Sequence, residues 1–401
     1  MTKSELLELI SKGENSGVEF KRDDIRPVDL AKEIVAFINF EGGVILLGVE
    51  DDGSLQGTIK QNLEEWVINV CRDKVKPEVI PYYETHEIEG KKIAAVSFPK
   101  GLYVHHVWHN NHRYYFIRVG SSSREASPEE LQRLFQQRGQ IRFDLKPVPG
   151  AKFEDLDLLR LKNYFRDIRE QDIPSNDDVE QWITLLVNTE IMVEDNGKYT
   201  PSVGGIVLFG RNPNQYLPQA GISAVAYRGT EKDYGAIERT NIRGAIVARL
   251  NEKGEILDNG IIERAIEFVR RNTQSNSYLD KGRRIDKPVY PDEVIRETIV
   301  NAIAHRDYTI SGTDIELSIY HDRLEVNSPG KLPNTVTIER MKAGCRATRN
   351  ELIKEVLRDY NYIEATGLGV PRKIIAGMLK HNNKEPDLIE EEYSFTVRLW
   401  K

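Results

Sequence analysis

Apolar positions recur along this 401-residue chain with two spacings, and the spacings predict its elements. Spacing by three and four predicts a short helix over Ser4–Ile10 and a longer one over Pro27–Asn39. The unbroken run Val44–Val49 follows Gly42-Gly43 and predicts a buried strand, with further strands over Ile93–Phe98 and Tyr114–Val119. Ser127-Pro128-Glu129-Glu130 supplies an N-cap, a proline at the first helical position and acids in the first turn, opening a helix to about Gln137.

Lys146-Pro147-Val148-Pro149-Gly150 interrupts this pattern and is the strongest boundary signal in the chain. Beyond it, helices are predicted over Asp155–Arg169, Asp177–Asn188 and Ile261–Arg271. Strand-like pieces fall at Gly205–Phe209 and Ile222–Tyr227. From Pro288 onward a helix, a strand pair, a loop, a second helix over Val370–Leu379 and a last strand over Phe395–Leu399 make an α/β layer. The expected fold class is a multidomain α/β (α+β) protein: an α/β domain over residues 1–145, a helix-and-strand connector over 146–287, and an α/β sandwich over 288–401.

Composition narrows the classes. Hydrophobic residues at 39% and charged residues at 30% describe a soluble globular chain, and no apolar run reaches the length of a membrane span. The start Met-Thr-Lys-Ser-Glu lacks a signal-peptide layout, and two cysteines, Cys71 and Cys345, make no disulfide framework; a cytoplasmic location is expected. A net charge of -7 excludes a globally basic surface, so contact with nucleic acid would need a local patch. Arg113–Lys146 is the candidate, with seven basic side chains against four acidic.

Candidate chemistry lies at both ends. In Arg296–Tyr308, R-E-T-I-V-N-A-I-A-H-R-D-Y, the residues Ile295, Ile299, Ala302 and Ile303 share one helical face. Glu297, Asn301 and His305 share another. Such a polar stripe reads as a solvated face. The other reading is a line of groups facing a nucleotide, a carboxylate to take a proton from water and an amide to hold Mg2+; the helix alone favours the solvated face. Thr366-Gly367-Leu368-Gly369 then precedes an apolar helix, and glycines there would let backbone close on phosphate.

The order of these pieces resembles the GHKL ATPase fold. N-A-I-A-H-R-D-Y, D-R-L-E-V-N-S-P-G-K-L-P and R-N-E-L-I resemble more closely the ATPase-like domain of bacterial transcriptional regulators labelled RecG-related. The resemblance implies Glu297 as general base, Asn301 as Mg2+ ligand, and His305 on the same nucleotide-facing stripe. It implies Asn327–Gly330 near the adenine, with Asn327 where the family carries Asp. Arg349 would lie among the nucleotide contacts, and Gly367 and Gly369 in the phosphate lid.

At the other end, E-N-S-G-V-E-F-K places Glu14 and Glu19 five residues apart with Lys21 beyond. The strand Val44–Val49 delivers Glu50, Asp51 and Asp52 at its end. These acids read as an ordinary turn, or as a hard-oxygen site for a divalent cation. E-N-S-G-V-E-F-K, A-F-I-N-F-E-G-G-V-I-L-L-G-V-E-D-D-G and I-R-V-G-S-S-S-R-E-A-S resemble the Schlafen/AlbA-like domain. That domain is assigned DNA binding in bacteria and, in some Schlafen proteins, metal-dependent RNA cleavage. The resemblance implies a catalytic metal site at Glu14, Glu19 and either Asp51 or Asp52, taking Mg2+ or Mn2+, with Lys21, Arg118 and Arg124 on phosphates.

His105, His106, His109 and His112 read as a surface hairpin with its tip at Asn110-Asn111, zinc being the rival reading. The helices of the middle region admit a winged-helix element with Asp195-Asn196-Gly197-Lys198 as its wing. The expected function is an ATP-binding regulator whose nucleotide occupancy controls a module binding DNA or RNA. The alternative is a metal-dependent nuclease with the ATPase-like part as sensor. ATP hydrolysis and homo-oligomerisation are left open by the residues.

Overall fold

The computed structural model describes residues 1–139, 141–251, 253–273, 276–280, 283–332, 336–345, 348–363 and 369–401, the side chains of 276–280 and 283–287 excepted. The chain forms two compact units, Met1–Ile141 and Arg142–Lys401.

The first unit is built on a four-stranded sheet in the order Val18–Lys21, Gly42–Leu47, Lys91–Pro99, Tyr82–Ile88. Its first pair is parallel, Val18 opposite Val44, and the helix Pro27–Asn39 makes the crossover. Alternation along Gly42–Leu47 feeds two cores. Ile45 and Leu47 join Leu30, Ile34 and Phe37 of the helix, whereas Leu46 joins Leu6, Phe20 and Ile93. A glycine is favoured at position 43, because a Cβ there would overlap the Phe37 ring and lie 2.9 Å from the Gly17 carbonyl oxygen. The expected strand over Tyr114–Val119 divides into His112–Tyr114, which pairs back on His106–His109, and Phe116–Val119, which pairs with Ser122–Glu125. Asn110 and Asn111 both adopt positive φ, 49° and 61°, at the tip of the first hairpin. Ser127 and Glu130 form the reciprocal cap that opens the helix Pro128–Gln137.

The second unit carries a six-stranded sheet in the order Ala236–Ile242, Ile222–Tyr227, Ile315–Ile319, Arg323–Pro329, Ser394–Trp400, Asp387–Glu390. Ile222–Tyr227 runs parallel to Ile315–Ile319, and all other neighbours are antiparallel. One core runs from Val148 to Leu399. The segment read as a connector thus contributes two strands to the sheet of the C-terminal third. Helix Ile261–Asn272 packs on the first three strands, and Asp292–His305 packs on Arg323–Pro329.

In the second unit three further elements differ from the sequence expectation. Val203–Phe209 is a helix rather than a strand: Ser202 caps it by accepting from the Gly205 amide, and every residue in it is buried, so the short apolar run has no period to read. Gly205 permits this packing, since a Cβ would overlap the Ile191 carbonyl. The helix expected over Asp155–Arg169 is broken into Phe153–Asp155, Leu158–Lys162 and a wide-turned Asn163–Ile168. The one expected over Val370–Leu379 is a wide-turned Gly369–Ile375 followed by Ala376–Asn382. The hairpin expected at Asn196-Gly197 is present between Met192–Asp195 and Lys198–Pro201.

Candidate functional site

Pro291 precedes the helix Asp292–His305, and Asp292 and Glu293 occupy its first turn, where the helix dipole favours acids. Val294, Ile295, Ile299, Val300 and Ile303 bury one side of it. Glu297 is only 4% exposed although it carries a carboxylate. With Asn301 and His305 it lines a cleft that encloses about 1220 Å³ including its open mouth. Asn301 Nδ2 donates to Glu297 Oε1 at 3.1 Å, and Lys373 Nζ lies 3.6 Å from Glu297 Oε2. Gly369 backs onto the same carboxylate: a Cβ there would overlap Oε1 and lie 2.8 Å from Cδ, so a larger residue would require the Glu297 carboxylate to shift. The facing wall is Val326, Ser328, Gly330 and Lys331. Ser328 Oγ donates to the Ala302 carbonyl at 2.7 Å and ties this wall to the helix.

The helix ends where several carbonyls need donors, and three buried side chains supply them. Asn350 donates to the Ala304 and Arg306 carbonyls at 3.0 and 2.9 Å, and Arg349 to those of His305 and Lys331 at 2.7 and 2.5 Å. Arg306 donates to the carbonyls of Asp307, Ile310 and Thr313, fixing the loop after the helix. Gly330, at φ 112°, sits where a Cβ would meet Asp307 Cβ at 2.6 Å. His305 is half-buried, and burial, then the charges of Arg349 and Lys354, push its pKa down to about 4. The imidazole facing the cleft is therefore neutral at physiological pH.

A second constellation lies in the first unit. Arg118, 4% exposed, reaches Glu19 at 2.6 Å and Glu33 at 3.4 Å. It also donates to the carbonyls of Asn15 and Val18, at 2.7 and 3.3 Å, and stacks 4.6 Å from the Phe37 ring centre. Lys21 meets Glu19 at 2.5 Å and Glu14 at 3.7 Å, and Ser123 Oγ donates to Glu33 at 2.5 Å. Burial raises the Glu33 pKa, opposed by the Ser123 hydroxyl and reinforced by the Glu19 charge. Burial lowers that of Lys21, but the hydrogen bond and charge of Glu19, with Glu14 and Glu33, outweigh it and leave it raised.

Comparison with known proteins covers the second constellation and part of the first. Residues 14–127 match the family described as "Schlafen, AlbA_2", and residues 312–399 match "Putative ATP-dependent DNA helicase recG C-terminal". The chain carries a Schlafen/AlbA-like domain and an ATPase-like domain. The second match begins after the helix that bears Glu297 and Asn301. No curated protein matches the chain. Among solved structures, it is similar to the DIP2311 protein from Corynebacterium diphtheriae at 18% identity and a TM-score of 0.44, over 99% of this chain and 79% of that one. It is also similar to the N-terminal domain of a RecG-related protein from Nitrosomonas europaea at 20% identity and a TM-score of 0.24, over 32% of this chain and 94% of that one. Likenesses of that depth carry no inference.

In the ATPase-like domain and the helix before it, the structure brings Glu297, Asn301, His305, Gly330 and Gly369 to one cleft. Gly367 lies outside the described residues. Asn327 does not line the cleft: strand alternation turns it to the other face, where it donates to Ser394 and Thr396. Arg349 does not line it either, its two terminal nitrogens being committed to backbone carbonyls.

In the Schlafen/AlbA-like domain the expected metal site does not assemble. Among the described residues no three His, Cys, Asp or Glu side chains gather closely enough to hold a metal ion. Glu14 accepts from the Phe20 amide, and Glu19 is taken by Arg118 and Lys21. Asp51 and Asp52 stand exposed in a turn, Asp52 accepting from the Ser54 amide. In the histidine hairpin segment, His105 is buried with Nδ1 2.8 Å from the Pro77 carbonyl. Arg118 is buried against carboxylates. Arg124 is exposed on the surface, paired with Glu130 at 2.6 Å, and Lys21 is a quarter exposed.

Two participants were not anticipated from sequence, Glu33 and Lys373. Glu33 carried a signal: it follows Leu30 by three residues and precedes Phe37 by four, an acid on the core-facing stripe of an apolar helix. Lys373 carried none, because its approach to Glu297 depends on how the Gly369 segment folds back.

Proposed function

We propose that the chain is an ATP-binding regulator in which occupancy of the C-terminal cleft governs a nucleic-acid-binding N-terminal domain. The observation that carries the nucleotide reading is the Glu297–Asn301 pair on the cleft wall, with the Gly369 backbone lying against the Glu297 carboxylate. The pair suits the chemistry. Asn301 gives its amide N–H to Glu297, which leaves Oδ1 without a donor among the described residues and turned to the work of a hard-cation ligand. Mg2+ held there would offset the charge of the phosphates. Glu297, nearly excluded from water, is placed to accept a proton from a water molecule attacking the terminal phosphate. Neutral His305 and the apolar side chains of Val326, Met341 and Ile363 suit a base rather than a phosphate.

The nucleic-acid reading rests on the match of residues 14–127 and on exposed Arg124 and part-exposed Lys21. In this reading the domain binds DNA or RNA without cutting it, since its acids are neutralised by Arg118 and Lys21. The chain would act as a transcriptional regulator of the GHKL type. Titration of a fluorescent ATP analogue with Mg2+ into wild type and Asn301→Ala tests the nucleotide half. Binding by wild type, weakened about tenfold or more in the variant, supports it; equal affinity refutes it. A gel shift of DNA and RNA with and without ATP tests the regulatory half, which fails if ATP leaves the shift unchanged.

A further inference from the structure

No aspartate or glutamate occurs between Glu89 and Glu125, in a chain whose net charge is -7. The hairpin of His106–His109 and His112–Tyr114 lies inside that stretch. Its first strand also pairs with Val75–Lys76, Val75 opposite Val107 and Lys76 opposite His106. Alternation in this three-stranded sheet sorts the side chains. Val75 and Val107 are buried in the core shared with helix Pro27–Asn39, and Tyr114 packs against it. Lys76, His106, Trp108 and Arg113 therefore face the other way, Trp108 directly opposite Arg113. Trp108 is 38% exposed, and Arg113 is exposed with no acid paired to it among the described residues. Lys76 gives one hydrogen to the Arg72 carbonyl at 2.6 Å and keeps its charge. Asp73 lies within range of that charge but accepts from Arg72 Nε at 3.0 Å.

The aromatic row continues past the hairpin. The His106 ring centre lies 6.5 Å from that of Trp108 and 5.3 Å from that of Tyr115, and Tyr115 lies 5.9 Å from Phe135. Their planes meet at 69°, 47° and 67°, so none of these rings lies flat on another. Burial first, and then the charges of Arg113, His105 and Lys76, lower the His106 pKa, so at neutral pH the imidazole is an uncharged ring. Aromatic faces suit bases, and cations without acid partners suit phosphates. A duplex keeps the faces of its bases stacked on one another, so only an unpaired strand offers both together. We propose that the outer face of this hairpin holds a single strand of nucleic acid, with bases stacking on Trp108 and His106 and phosphates meeting Arg113 and Lys76, an inference that rests on the nucleic-acid reading above and narrows its ligand. Duplex DNA, meeting the cations through phosphates alone, is held more weakly.

The test uses the full chain as wild type, Trp108→Ala, Trp108→Phe and Arg113→Gln. Each is titrated by fluorescence anisotropy with labelled single-stranded DNA, single-stranded RNA and duplex DNA of one sequence and length. Wild type should bind at least one single strand more tightly than the duplex. Trp108→Ala should weaken that strand by about fivefold or more and the duplex by less than about twofold, and Trp108→Phe should restore most of the loss. Arg113→Gln should lower the slope of log affinity against log salt for that strand by about 0.7. Four results each overturn the proposal and leave the nucleic-acid reading in place: duplex bound as tightly as either strand, strand affinity unaltered in Trp108→Ala, equal losses in Trp108→Ala and Trp108→Phe, or a salt slope unmoved by Arg113→Gln. Failure of wild type to bind all three overturns that reading and this proposal with it. Should Trp108→Ala not fold, ultraviolet crosslinking of wild type to a bromouracil-substituted strand decides instead. Crosslinks must fall on the hairpin or its neighbours Lys76 and Tyr115, and crosslinks confined elsewhere overturn the assignment.

Discussion

Replacing Arg118 by methionine separates the two roles open to that residue most sharply. The guanidinium is buried, and its removal strips Glu19 of its 2.6 Å partner and Glu33 of a 3.4 Å partner, and takes one of two donors from each of the Asn15 and Val18 carbonyls. Methionine keeps the apolar contact with Phe37 but none of the charge. Breaking a buried ion pair from one side costs about 3–5 kcal/mol. That corresponds to about two to nearly four orders of magnitude in the local opening equilibrium of strand Val18–Lys21 and helix Pro27–Asn39, which amide hydrogen exchange reads segment by segment. The sign with pH follows from the carboxylates. Burial already raises the pKa of Glu33, so without Arg118 its penalty is full above that raised pKa and fades as pH falls and protonation neutralises the carboxylate. Adding Glu19→Gln and Glu33→Gln to Arg118→Met should therefore recover most of the loss at neutral pH. Unchanged exchange in Arg118→Met, together with weaker binding of nucleic acid, would refute this reasoning and return Arg118 to the phosphate-contact role.

Gly369→Ala places a methyl inside the space of the Glu297 carboxylate; it should cost about 1–3 kcal/mol of stability by thermal unfolding and lower affinity for an ATP analogue, and wild-type values for both would contradict the packing described. His305, held near pKa 4 against an ordinary 6.5, favours the fold while neutral, so stability is present above about 6.5 and is lost as pH falls toward 4. The loss is at most about 3 kcal/mol. His305→Gln should flatten the fall in melting temperature between pH 7 and pH 5, and an unchanged slope would place the titration elsewhere. Asp51→Asn and Asp52→Asn, both on an exposed turn, should shift stability by less than about 0.5 kcal/mol and leave nucleic-acid binding unaltered. A Mn2+-dependent nuclease activity that either substitution removes would reinstate the metal site.

What the sequence made legible follows from how local each signal is. Pro27–Asn39 and the capped start at Ser127 were readable because proline, cap and period lie within one segment. Glu297 and Asn301 share a face because one helical turn separates them, and no distant contact is needed to know it. Val203–Phe209 was misread because uniform burial erases the period that separates helix from strand. Arg118 and Asn327 were misassigned for a related reason: their partners, Glu19 and Glu33 in one case and Ser394 and Thr396 in the other, lie 67 to 99 positions away in the chain. A charge reads as solvent-facing until the fold supplies its counter-charge. The second unit made the same point at the level of domains, since the parallel pairing of Ile222 with Ile315 spans a stretch that composition alone divides.

The central claim is that the nucleotide and its metal belong to the Glu297–Asn301 cleft and not to the acids of the N-terminal domain. Crystals soaked with a non-hydrolysable ATP analogue and Mn2+ test it directly through the anomalous signal of manganese. The account predicts a peak beside Asn301 Oδ1 with phosphate density next to it, and none at Glu14 and Glu19. A peak between Glu14 and Glu19, with the C-terminal cleft empty, would contradict it.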